Sequence, residues 1–189
     1  MTLTSKVEKA ISTAANAHRK QIRKGSGVPY IIHPFSVMLL ASEVTDDEDT
    51  LVACLFHDIL EDVPDMYSEK QMQQDYGENV VRIVRGVTKD DSIKDWHQRS
   101  EAYLTHLRNE APEESVIVSL ADKCHNLHAV LQDYDRIGDD IWDIFSSNKQ
   151  SQLWWYQSIL QVAHDRLPKN SLHQRLEHMI DKLNVIIAQ

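Results

Sequence analysis

The 189-residue chain is short of glycine, proline and cysteine, with five, five and two. Few glycines and prolines mean few obligate turns, which works against a protein of many short strands and favours long helices. The two cysteines, Cys54 and Cys124, lie in apolar helical segments outside any CxxC pattern. That excludes a disulfide framework and a Cys-rich metal ribbon, and it fits buried thiols in a reducing compartment. No run approaches the ~18 apolar residues of a membrane span. The opening Met1-Thr2-Leu3-Thr4-Ser5-Lys6 lacks the apolar stretch of a signal peptide. The expected compartment is the cytoplasm, with no membrane partner. Positive charge is also scarce, at a net −9. Binding of DNA or RNA needs a basic face that releases counterions, so nucleic acid is not an expected partner. The same deficit constrains any anionic substrate, whose site must be locally positive. The densest basic run is His18-Arg19-Lys20-Gln21-Ile22-Arg23-Lys24.

Hydrophobic residues make up 42% and charged residues 26%, ordinary values for a globular chain able to bury a core. The length fits one domain over residues 1–189. There is no internal repeat, low-complexity tract or linker. Apolar residues recur at helical spacing from about Leu3 to Lys20. Gly25-Ser26-Gly27-Val28-Pro29 then breaks the chain. Pro34 suits the first turn of the next helix, where its missing N–H costs nothing. Asp46, Asp47 and Asp49 favour a third helix start by capping and by the dipole, with Pro64 stopping a helix that runs to about Asp62. Ser68-x-x-Gln71 and Ser171-x-x-Gln174 read as capping boxes. Further helices are expected over Val80–Val84, from Trp96 to Leu107, from Pro112 to about Gln132, and from Ser146 to Ala163. Gly138 marks another break. The fold class is all-α.

Two of these helices have polar faces unlike a solvated surface. At about 100° per residue, His57, Asp58, Glu61 and Asp62 fall on an arc roughly 140° wide. Leu51, Cys54 and Leu55 occupy the same arc one turn earlier. A surface stripe is normally polar from end to end; this one turns abruptly from apolar to one imidazole and three carboxylates. The second helix carries Val116, Ile117, Val118, Leu120, Ala121, Cys124, Leu127, Val130 and Leu131 around most of its circumference and should be buried. Ser119, Asp122 and Asn126 form a narrow stripe on it. An ionised Asp122 there needs a cation or several hydrogen bonds to offset desolvation. Lys123, adjacent in sequence, is expected to point elsewhere.

Imidazole and carboxylate together suit divalent transition metals better than calcium or magnesium. His33, before Pro34, with His57, Asp58 and Asp122 would give two nitrogens and at least two oxygens, leaving positions for water and a phosphate oxygen. Glu61 and Asp62 lie one turn beyond the His57-Asp58 pair, at the right distance to position water or move a proton. As acids near a helix C-terminus they sit against the dipole, which calls for a cation nearby. His125 and His128 could reach the site, but surface or packing roles are the preferred reading, and Trp154-Trp155-Tyr156 reads as core, with a pocket wall as the alternative.

With these residues in hand, the chain resembles the HD-domain phosphohydrolases, and within them the hydrolase domain of RelA/SpoT proteins and the stand-alone small alarmone hydrolases. The matching stretches are Ala17-His18 with Gln21 and Arg23-Lys24, Ser26 to Pro34, Leu55 to Asp62, Tyr76-Gly77, Val87-Thr88, and Leu120 to Leu127. They span about residues 10–130, leaving 131–189 as a helical extension. The resemblance implies a helical bundle of about nine or ten helices. It also implies metal ligation by His33, His57, Asp58 and Asp122, usually of Mn2+, and water handling by Glu61 and Asp62. Contact with a phosphorylated nucleotide falls to Arg23, Lys24 and Asn126. The implied reaction removes the 3′-pyrophosphate of (p)ppGpp. Two other readings stay open: hydrolysis of another nucleotide such as NADPH, and a noncatalytic metal- and nucleotide-binding sensor.

Overall fold

The computed structural model describes residues 3–23, 27–145 and 147–188. Among these residues the chain forms ten α-helices, one 3-10 segment and no strand. The helices are α1 (Ser5–Ala17), α2 (Ile32–Ala41), α3 (Glu48–Phe56), α4 (Ile59–Asp62), α5 (Glu69–Tyr76), α6 (Glu78–Arg85), α7 (Trp96–Asn109), α8 (Glu113–Ile137), α9 (Lys149–Arg166) and α10 (Ser171–Ile187); the 3-10 segment is Gly138–Ile144. The all-α expectation holds. No described helix is long and apolar enough to cross a membrane. Both cysteines are free and buried.

α8 is the axle of the molecule. It packs against α2, α3, α9 and α10, while α1 and α6 close on the other flank of α3. The density of apolar residues in α3 and α8 explains this. Every residue from Leu51 to Phe56 is buried, and so are Val116, Val118, Leu120, Ala121, Cys124 and Leu127. A helix apolar on all sides has no stable place at a surface.

Helix ends follow local chemistry, with three departures from the sequence reading. Ser68 and Gln71 form the expected capping box, and Asp47 caps α3 through Thr50 N–H at 2.8 Å. At α10 the box is built one residue earlier. Asn170 is the cap and His173 the reciprocal partner, so Ser171 and Gln174 do not form it. Asn presents its side-chain oxygen as readily as Ser. α8 runs past Gln132 to Ile137, where Gly138 takes φ +64, a left-handed value suited to glycine at a helix end. The helix expected from Asp46 to Asp62 is broken, because His57 and Asp58 separate α3 from α4. The His57 ring Nδ1 lies 2.7 Å from the Cys54 carbonyl, the acceptor that Asp58 N–H would use in an unbroken helix. The imidazole competes for the backbone where the two side chains must diverge.

Candidate metal centre

Four side chains from three parts of the chain meet between α2, the α3–α4 break and α8. His33 comes from the first turn of α2, His57 and Asp58 from the break, and Asp122 from the middle of α8. His33 Nε2 lies 3.2 Å from His57 Nε2, 3.4 Å from Asp58 Oδ2 and 3.1 Å from Asp122 Oδ1. His57 Nε2 lies 3.0 Å from Asp58 Oδ2 and 3.7 Å from Asp122 Oδ1. His33, His57 and Asp58 form the tightest group, each offering a donor within 4.8 Å of the others; Asp122 joins it through the two histidines.

These separations test whether the donors fit a metal. Ligands about 2.1 Å from one ion are about 3.0 Å apart at a right angle and about 3.4 Å apart at a tetrahedral angle. The donor pairs cluster around those edges, and two nitrogens with two carboxylates make a set suited to a divalent transition ion. The ring hydrogens fit as well. His57 Nδ1 faces only a carbonyl and therefore carries a proton, so Nε2 is the nitrogen turned to the cluster and the one that would give up its proton to hold an ion.

The electrostatics show what a cation would relieve. Burial works against a charged His57, but Asp58 and Asp122 outweigh it and hold its pKa well above the usual imidazole range. Burial likewise opposes ionisation of Asp58 and Asp122. For Asp58 the His57 charge prevails, and for Asp122 the Lys123 charge, so both stay well below the carboxylate range. Lys123 thus differs from expectation: its ammonium is buried and paired with Asp122 Oδ2. It turns back along α8 because a buried ammonium has no better partner there.

Around this centre sit the other expected residues and several that sequence reasoning missed. Asn126 donates to Asp122 Oδ1 at 2.5 Å and accepts from Arg23 at 3.1 Å. Arg23 also covers the Tyr30 ring at 5.9 Å. Lys24 lies outside the described residues. Glu61 accepts the Lys89 backbone N–H at 2.7 Å, and burial raises its pKa. Asp62 accepts from the Gln21 amide at 2.6 Å; desolvation, then the Asp58 charge, raises its pKa. A cavity of about 300 Å³ opens beside Asp62, lined by Ala17, Lys20, Gln21, Asp62, Val63 and Met66. It lies to one side of the four-residue cluster and contains none of it.

Three residues with no assigned site role in the sequence reading support the cluster. Tyr30 donates to Asp58 Oδ2 at 2.5 Å, and burial with the Asp58 charge keeps its hydroxyl protonated. It is placed by a turn in which Arg23 N–H bonds the Val28 carbonyl, Gly27 adopts φ +71 and Tyr30 N–H bonds the Gln21 carbonyl. His125 Nδ1 lies 2.8 Å from His33 Nδ1, so this histidine does reach the site, against the preferred surface or packing reading. Burial, then the charges of His33 and Arg23, lowers its pKa to about 4; a neutral His125 accepts from His33 and orients it. The signal was its offset of three from Asp122, one turn along α8. Buried His18 bonds Gln21, which holds Asp62.

A helical bundle built round a His/Asp cluster at a helix break defines a class of metal-centre proteins. A family model described as "HD domain" matches residues 10–151, and the chain belongs to that family. It is 35% identical over 122 residues to a guanosine-3′,5′-bis(diphosphate) 3′-pyrophosphohydrolase of Haemophilus influenzae, covering 62% of this chain and 17% of that protein. It is 34% identical over 130 residues to the bifunctional (p)ppGpp synthase/hydrolase SpoT of Escherichia coli, covering 66% and 18%. The chain thus spans under a fifth of the length of these relatives. The fold matches that of a structure described as a metazoan ortholog of SpoT that hydrolyzes ppGpp, with TM-score 0.81, 23% identity and coverage of 96% and 97%. A Listeria monocytogenes structure matches at TM-score 0.71 and 21% identity, covering 80% and 97%.

Proposed function

We propose that the chain is a metal-dependent phosphohydrolase that removes the 3′-pyrophosphate of (p)ppGpp, giving GDP or GTP and pyrophosphate. The observation that carries this reading is the convergence of His33, His57, Asp58 and Asp122, with Glu61 and Asp62 one turn away. The names of the relatives support the choice of substrate. In this reading the four residues hold one divalent ion, with Mn2+ the first candidate. When bound, the ion supplies an acidified water and polarises a phosphoryl oxygen.

The chain's own groups supply the rest. The water oxygen bonds to the phosphorus attached to the sugar, the P–O3′ bond breaks, and the 3′ oxygen takes a proton. Glu61 and Asp62, whose raised pKa values lie nearer neutrality, take the proton from water and return one to the departing oxygen. Arg23 and Lys24 meet the phosphates, and Asn126 holds Arg23 in place. Tyr30 and His125 fix Asp58 and His33. The protein works in the cytoplasm, where its buried thiols stay reduced.

The test is turnover of ppGpp by purified protein with Mn2+, beside Asp58→Asn and a parallel assay of NADPH. The expected result is pyrophosphate release by the parent and a loss of at least about a thousandfold in Asp58→Asn, at most a small change in fold, and little phosphate from NADPH. Equal turnover by Asp58→Asn would refute the metal mechanism. Preference for NADPH would change the substrate, and tight ppGpp binding without turnover would make the chain a sensor.

A further inference from the structure

The second source of positive charge lies on the Glu61 side of the cluster, away from Arg23. Lys89 follows Thr88 in the loop between α6 and α7. Its ammonium sits 5.0 Å from the Trp155 ring centre and 5.6 Å from that of Tyr103. Lys123 reaches the same Trp155 ring at 5.5 Å. Trp155 and Tyr103 are buried and pack together at 5.5 Å, so the platform is rigid.

The two lysines differ in one respect. Lys123 is paired with Asp122. Among the described residues, no carboxylate oxygen lies within 4 Å of the Lys89 ammonium. Glu61 is tied to the Lys89 main-chain N–H instead. A half-buried ammonium normally takes an anionic partner, since desolvation is costly and aromatic faces return only part of that cost. Here the second ammonium on the same ring makes the position worse. Burial and the Lys123 charge both lower the pKa of Lys89, while the charges of Glu61, Asp122 and Asp58 reach it and raise it. The ammonium therefore shares the Trp155 ring with the Lys123 ammonium that is bound to Asp122 of the cluster, and it lacks a direct counter-ion from the chain.

We infer that Lys89, held on the Trp155 and Tyr103 rings, is the contact for the terminal phosphoryl group of a diphosphate substrate and of the pyrophosphate released from it. The inference rests on the proposed hydrolase reading for the identity of that diphosphate. A cation placed beyond the attacked phosphorus meets charge that a monophosphate does not carry, so Lys89 selects diphosphates. The Glu61 bond uses the Lys89 backbone, so changing the side chain leaves that acid in place.

The experiment is calorimetric titration of pyrophosphate and of orthophosphate into Mn2+-loaded parent, Lys89→Met, Lys89→Gln and Lys89→Arg at fixed salt and Mn2+. Steady-state turnover of ppGpp is measured on the same samples. The expected result is pyrophosphate binding about tenfold weaker in both neutral variants and restored to within about threefold by Arg. Orthophosphate binding should change less than threefold, and KM for ppGpp should rise more than kcat falls. Pyrophosphate affinity unchanged in a neutral variant that melts normally overturns the inference, as does a lowered Tm with unchanged affinity, which would make Lys89 structural. A parent that binds pyrophosphate through Lys89 yet leaves ppGpp intact keeps this subsite and removes the alarmone reading. A parent that hydrolyses ppGpp with Lys89→Met its equal removes the subsite alone.

Discussion

Asp122 divides its two oxygens between unlike partners. Oδ1 faces His33 and Asn126, while Oδ2 takes the buried Lys123 ammonium. Removing the carboxylate does more than delete a proposed metal donor, because it strands Lys123 in the core. Asp122→Ala should lower stability by about 3–5 kcal/mol, read as a much reduced urea midpoint, whereas Asp58→Asn, at a half-buried position, should melt near the parent. Equal midpoints for Asp122→Ala and parent would show that Lys123 finds water. Glu61 gives the opposite case. Burial raises its pKa, so the folded state binds its proton more tightly than the unfolded chain does. Its contribution to stability is present below the ordinary carboxylate range and is lost as pH rises through the folded value. Glu61→Gln keeps an acceptor for Lys89 N–H and drops the charge. It should therefore melt at or above the parent at pH 7, with the gap closing as pH falls toward 4–5, the ordinary range of about 4.3, while losing turnover. A Glu61→Gln protein that melts well below the parent at pH 7 would contradict this.

At the scale of elements, the functional residues ride on the least forgiving contacts. α6 ends against the start of α8, where Ser115, buried, donates to the Ile83 carbonyl at 2.8 Å. A Cβ on Gly86 would lie 2.2 Å from Ser115 Oγ and 2.8 Å from Ser115 Cβ. Gly86→Ala must push α6 off α8 or turn Ser115 out of its bond. The expected cost is about 1–3 kcal/mol, measurable as a Tm several degrees lower, and an unchanged Tm would mean the two helices slide freely. The same junction leads into Thr88 and Lys89, so the displacement should also weaken whatever Lys89 holds. The α3–α4 break is the other special element. It costs helical hydrogen bonding, and it is retained where His57 and Asp58 must both face His33 and Asp122.

For the whole molecule, the centre joins α2, α3 and α8, which pack on one another through buried apolar residues. An ion bound by all three should stabilise the entire fold and not one loop. Protein stripped with chelator should gain stability on addition of Mn2+, by about 2.7 kcal/mol when free metal is a hundred times Kd, read as a higher Tm. Asp58→Asn should lose most of that gain. A metal-independent Tm would exclude a site shared between these helices. The net charge of −9 acts at this scale too. Arg23 on one side and Lys89 with Lys123 on the other give the centre a local positive lining inside an acidic molecule, so high salt should weaken the binding of a phosphorylated ligand.

The sequence by itself determined the helical class, the buried character of α3 and α8, and the four residues that converge. Hydrophobic periodicity and scarce turn formers are local signals, and an ionisable residue set among apolar neighbours advertises its need for a partner. Which partner it finds is not local. Tertiary structure alone decided that Lys123 turns back to Asp122, that His125 backs His33, that Tyr30 reaches Asp58, and that Lys89 and Lys123 share the Trp155 ring. Each of these contacts joins residues whose distance in space depends on how helices cross, and helix crossings are set by packing over the whole core. The α3–α4 break lay hidden for a related reason: a side chain competing for a backbone carbonyl leaves no mark on periodicity.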